Sequence, residues 1–209
     1  MKNCTIEVII LGHRDFGEYD KQVHLYNEEL GKIKAIAKGS RKITSKFTGH
    51  LETLNICQVV LYFGPRNTII TEIQTIKNWS AIRDDFGKLK SALQISEITN
   101  QMIYENQTIT DLHILIKDTI TLLETTEKCD LLTIAYILKF LDRMGLLPNF
   151  QEILPKKLEL KYMKFFHFLL TEPFEKIITI HLQNDEKKKI TALVRKIIEN
   201  QIDKPLSYI

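Results

Sequence analysis

The 209-residue chain reads as a two-domain α+β protein, with a five-stranded β-barrel over residues 1–78 and an all-α helical domain over 79–209. Two observations predict this. Up to about residue 78, apolar side chains recur at every second position in short runs separated by turn residues. From Trp79 onward the apolar period changes to 3.6. A third observation concerns what the barrel carries. Gly31–Leu51 holds Lys32, Lys34, Lys38, Arg41, Lys42 and Lys46 and no acidic residue.

The first strand is Cys4–Leu11, with Ile6, Val8 and Ile10 on one face. Gly12–Asp20 is rich in turn residues. The second strand, Lys21–Tyr26, turns Val23 and Leu25 inward and leaves Gln22, His24 and Tyr26 on the other side. Asn27–Gly31 is a hairpin loop in which Gly31 supplies a positive φ. The third strand, Lys32–Ala37, faces Ile33, Ala35 and Ala37 inward, so Lys32 and Lys34 share the outer face with His24 and Tyr26. Strands over Leu54–Phe63 and Thr68–Gln74 flank the turn Gly64-Pro65-Arg66-Asn67. Five short strands without a long helix among them suit an OB-fold, whose second and third strands form the usual nucleic-acid face.

In the second domain, Phe86, Leu89, Leu93, Ile98 and Met102 mark one helix. Thr110 is a candidate N-cap for the next, striped by Leu112, Leu115, Ile116, Leu122 and Leu123. Leu131, Ile134, Ala135, Leu138 and Leu141 stripe a third, stopped by Gly145 ahead of Pro148. Lys156–Leu170 is periodic again, with Leu158, Tyr162, Phe165, Phe166 and Leu169 on one face and Lys157, Lys161 and Lys164 on another. Pro173 opens a short helix reaching Leu182. Asn184 or Asp185 caps a last one, ended by Lys204-Pro205.

Composition narrows the function classes. The net charge is only +3, so attraction for a polyanion comes from clustering in Gly31–Leu51. Cys4, Cys57 and Cys129 lie far apart, which argues against a disulfide framework and a zinc knuckle. The N-terminus lacks a signal-peptide pattern, and no run reaches the roughly 18 apolar residues of a membrane span. A cytoplasmic protein with no membrane partner is expected. There is no G-x-x-x-x-G-K-[ST] loop, no H-E-x-x-H and no G-x-S-x-G. The expectation is a binding protein with no catalytic residue, cofactor or metal. Candidate nucleic-acid-binding residues are Lys32, Lys34, Lys38, Arg41, Lys42 and Lys46 for phosphates, and Tyr26 for base stacking; the resemblance described next makes them DNA-binding candidates. The bland alternatives are lysines guarding a sheet edge and a tyrosine packed at the barrel rim.

Val8–Leu11, Asp15-Phe16-Gly17-Glu18-Tyr19-Asp20, Gly31, Ala37-Lys38-Gly39-Ser40-Arg41, Ser45 and Gly49-His50-Leu51 occur in this order along the chain. Together they resemble the bacterial recombination mediator family RecO. Arg143-Met144-Gly145-Leu146-Leu147-Pro148 is similar to the family's L-G-Y-x-P turn, and Asp203-Lys204-Pro205-Leu206-Ser207 to its closing motif. The resemblance implies an N-terminal OB-fold and a helical domain. It also implies binding of single- and double-stranded DNA, strand annealing without ATP, and engagement of RecR and the single-strand binding protein C-terminal tail. It further implies that recombinase is loaded onto coated DNA, by a protein expected to be a monomer when alone. Two departures stand out. The stretch from Asn149 to Pro155 has no cysteine, so the family's four-cysteine zinc module is expected to be missing. The helix that in some members supplies arginines for the tail carries only Lys139 and Arg143, the candidate partner-binding residues. An OB-type RNA-binding module and an interaction scaffold gripping an acidic partner through the basic loop are the competing readings.

Overall fold

The computed structural model describes residues 3–147, 159–199 and 201. Pro148, Asn149–Pro155, the helix start at Lys156–Leu158 and the Asp203–Ser207 ending lie outside the described residues. Five strands close into a barrel: β1 (Asn3–Phe16), β2 (Asp20–Asn27), β3 (Gly31–Ala37), β4 (Ile56–Phe63) and β5 (Thr68–Lys77), in the order β1-β2-β3-β5-β4. This is the five-stranded OB-type barrel expected from the period of two.

β1 is longer than its apolar alternation suggests. Its first half pairs with β4, from Asn3↔Tyr62 to Ile9↔Ile56, and its second half pairs with β2, from Ile9↔Tyr26 to Phe16↔Asp20. The register shifts between Ile10 and Gly12, and Gly12 sits at φ 141°. Such a bulge bends a strand, letting one strand serve two neighbours. The barrel closes through a short parallel pairing, Ala35↔Thr68 and Ile36↔Ile69. β4 begins at Ile56 rather than Leu54, because Leu54 takes a left-handed φ of 67° and turns its carbonyl to the Trp79 indole N–H at 2.9 Å. The expected inward residues Val8, Ile10, Val23, Leu25, Ile33, Ala35 and Ala37 all lie in the buried cluster, joined by Phe47 and Leu51 of the β3–β4 loop.

The helices are α1 (Ser80–Arg83), α2 (Phe86–Met102), α3 (Leu112–Leu123), α4 (Cys129–Arg143), α5 (Glu159–Thr171), α6 (Phe174–Ile177) and α7 (Asn184–Glu199). The chain divides into two compact units that interleave in sequence. One holds the residues up to Asp84 with Ser96–His113, the other Asp85–Ile95 with the residues from Ile114 on.

In the first unit, the second half of α2 and the segment after it lie on the barrel. Ser96 Oγ donates to the Leu11 carbonyl at 2.8 Å, and Asn106 N–H donates to the Lys32 carbonyl at 2.8 Å. In the second unit α4 packs against α5, α6 and α7, and Leu131 through Leu138 are all buried. α4 ends as its glycine predicts: Gly145 takes φ 68°, and Leu146 N–H returns to the Leu141 carbonyl at 2.9 Å. Three details differ from expectation. Asp111, not Thr110, precedes α3, with φ 56°. Phe86 is exposed rather than part of the α2 stripe. The helix after Pro173 is a single turn.

Candidate nucleic-acid interface

The loop after β3 folds back onto the β1–β2 turn. Gly39, at φ 67°, donates its N–H to Asp20 Oδ1 at 2.7 Å. Arg41 N–H donates to the Tyr19 carbonyl at 2.9 Å. Its guanidinium reaches the Glu18 carbonyl at 3.2 Å and the Gly17 carbonyl at 3.4 Å, and pairs with Asp15 Oδ2 at 3.2 Å. Lys42 Nζ stands 5.4 Å from the centre of the Tyr19 ring. Lys38 is exposed, with no hydrogen-bond or ion-pair partner among the described residues. Loop and turn thus form one cationic corner containing Lys38, Arg41 and Lys42. Over residues 14–21 and 38–42 there are five Lys or Arg against three carboxylates, so the local field stays positive.

The outer face of β2 and β3 is different from the sequence expectation. Tyr26 is fully buried; its hydroxyl donates to the Ile109 carbonyl at 3.1 Å and accepts from the Ile109 N–H at 3.0 Å. Lys32 is 7% exposed, and its ammonium donates to the carbonyls of Asn100 and, at 3.0 Å, Ile103. Neither side chain can meet a nucleic acid, because Asn100–Ile109 covers this face. Both assignments are corrected: Tyr26 is a core residue and Lys32 holds a helix end. Burial, with repulsion from Lys34 second, lowers the Lys32 pKa to about 8. Burial also pulls His24 below the usual histidine range, opposed by its bond to Asn100 and helped by Lys32, Lys34 and Arg14.

Lys34 remains exposed but pairs with Glu105 Oε2 at 3.0 Å. Lys46 donates to the Thr71 carbonyl on β5 at 2.6 Å. Of the six proposed phosphate contacts, the structure therefore brings together Lys38, Arg41 and Lys42, and holds Lys34 and Lys46 elsewhere on the barrel.

In the second unit Lys139 donates to the carbonyls of Leu170 and Glu172, both at 2.8 Å, with the Phe174 ring 5.5 Å away. It closes the C-terminal end of α5. Arg143 is exposed and bonds back to the Lys139 carbonyl at 3.1 Å. Among the described residues no three His, Cys, Asp or Glu side chains converge on a metal position. Burial pushes the Cys57 thiol up to about 11 and raises Cys129 as well, so neither has the thiolate character of a nucleophile.

Residues missing from the sequence-based set are Phe16 and Tyr19, 41% and 48% exposed in the β1–β2 turn. The available signal was their place in Phe16-Gly17-Glu18-Tyr19, a turn too short to have a core side.

Comparison with known proteins bears on this geometry. Residues 1–82 match the family model described as recombination protein O N terminal, and residues 83–152 match recombination protein O C terminal. The DNA repair protein RecO of Syntrophobacter fumaroxidans is 34% identical over 152 residues, covering 71% of this chain and 59% of that protein, less than two thirds of its length. DNA repair protein RecO of a Thermoanaerobacter species is 26% identical over 98% of this chain and 90% of its own length. The Caldanaerobacter subterraneus protein of the same name is 22% identical over 97% and 94%. No described helix is long and apolar enough to cross a membrane. With an OB-type barrel, a helical unit and both family models matched in order, the chain belongs to the recombination protein O family of DNA repair and recombination.

Proposed function

We propose that this chain binds single- and double-stranded DNA at the cationic corner formed by the β1–β2 turn and Lys38–Lys42, without catalysing a reaction. The supporting observation is the stapling of Arg41 to the turn, which presents Lys38 and Lys42 from a rigid barrel. Cations there displace counterions from phosphates. Two strands held near one such surface repel each other less, so complementary strands anneal without ATP. The same binding serves the loading of recombinase onto coated single strands. RecR and the single-strand binding protein C-terminal tail are the proposed protein partners. For the tail, exposed Arg143 is the candidate contact on α4, since Lys139 is already engaged by α5 and α6 residues.

The test is oligonucleotide binding across a salt series, with K38A/R41A/K42A beside the unaltered chain. The log–log salt slope falls by about 0.7 for each single-strand phosphate contact removed, and annealing slows in parallel. An unchanged slope would place DNA on another surface. Binding that prefers RNA, with no annealing of DNA strands, would favour the RNA-module reading.

A further inference from the structure

We infer that Tyr19, flanked by Phe16 in the β1–β2 turn, is a stacking platform for an unpaired base of a single-stranded nucleic acid. This rests on the phosphate-binding reading of the same corner and adds to it a preference for unstacked strands.

Isolated exposed aromatics are ordinary on protein surfaces. Here two of them share one short turn, both with more than a third of their surface open, beside three cations. The turn is also held in place. Arg41 takes the backbone carbonyls of Gly17, Glu18 and Tyr19 in succession, so little ordering entropy is lost when a ligand settles on the ring. The neighbouring carboxylates are occupied within the corner. Asp15 pairs with Arg41, and Asp20 accepts the Gly39 N–H. Glu18 hydrogen-bonds the Tyr19 hydroxyl, which raises that group's pKa. Only Asp15 is charge-paired; Asp20 and Glu18 keep their negative charge but are tied by hydrogen bonds within a corner where lysine and arginine outnumber them.

Lys42 Nζ lies over one face of the Tyr19 ring, 5.4 Å from its centre, so a base stacks on the opposite face while the ammonium supplies a counter-charge for the nucleotide's phosphate. Aromatic faces bind every base alike, so the platform discriminates strandedness and not sequence. Duplex DNA keeps its bases stacked on each other and gains only from the cations.

The experiment compares Y19A, Y19F and Y19W in the full chain, using oligo-thymidine, an abasic oligomer with the same phosphates, and a duplex. Y19A weakens oligo-thymidine binding roughly 5- to 150-fold, leaves the salt slope unchanged, and leaves abasic and duplex binding unchanged. Y19F and Y19W retain affinity, and the Y19W indole emission is quenched as thymidine tract is added. The inference is overturned if Y19A binds oligo-thymidine like the parent, or loses equal affinity for the abasic oligomer. Either result leaves the phosphate reading standing if K38A/R41A/K42A still flattens the salt slope. Loss of that triple-variant effect condemns the corner itself.

Discussion

Lys32 Nζ lies 3.0 Å from the carbonyl oxygen of Ile103, so a lysine on a barrel strand satisfies backbone acceptors just past the end of a helix. It donates to the Asn100 carbonyl as well, and these are the orphan acceptors that a helix end leaves open. Removing the ammonium strands both in a buried setting. K32M should lower unfolding free energy at neutral pH by about 1.5–3 kcal/mol, measured by urea denaturation. The pH dependence has a definite sign. Burial lowers the Lys32 pKa to about 8 from the usual 10.5. Between those values the unfolded chain binds more proton at this side chain than the folded one, so stability rises with pH. The parent should therefore gain on K32M between about pH 8 and 10.5, and hold a constant difference below pH 8. Parallel curves across that window would contradict the assignment.

Gly31 and Gly17 are both left-handed, at φ 69° and 63°, but differ in surroundings. A Cβ at Gly31 would lie 2.3 Å from the Gln107 carbonyl oxygen, whereas one at Gly17 meets nothing within 4 Å. G17A should cost only the backbone strain, about 1–2 kcal/mol. G31A adds a backbone collision that lifts Asn106–Gln107 off the barrel, and should cost well beyond that. Equal denaturation midpoints for the two variants would refute the close approach.

Tyr26 exchanges two hydrogen bonds with one residue, Ile109. Y26F leaves a buried N–H and a buried carbonyl unpaired, at about 1–3 kcal/mol for each group left so. Thermal unfolding should register the loss, while oligonucleotide affinity of the folded protein stays put. A binding defect without a stability defect would restore Tyr26 to the interface.

Lys139 and Arg143 separate in the same manner. K139A frees the Leu170 and Glu172 carbonyls and should destabilise the second unit by about 1.5–3 kcal/mol. R143A, on an exposed side chain, should stay within about 0.5 kcal/mol. Partner binding lost in R143A alone would mark a recognition residue; loss confined to K139A, tracking its unfolding, would mark a structural one.

The alternation of Val23 with Leu25 and of Ile33 with Ala35 determined the inner wall of the barrel, because a strand must send every second side chain to the same face. Helical spacing did the same for Ile134 and Leu138, and the positive φ of Gly145 followed from its place after a long apolar stripe. The match of Ala37–Arg41 to a family motif pointed to the corner that the structure then built.

The opposite face of β2 and β3 was decided only in three dimensions. Period two states that Tyr26 and Lys32 point away from Val23 and Ile33, but the cover over them comes from Asn100–Ile109, some seventy to eighty residues on. No local pattern encodes that distance, since it depends on where α2 ends and how the chain returns. The anchoring of the Gly17–Tyr19 turn is likewise a long-range matter, because Arg41 reaches its carbonyls from more than twenty residues on. Local periodicity fixes which side chains share a face, while long-range packing chooses which faces meet water.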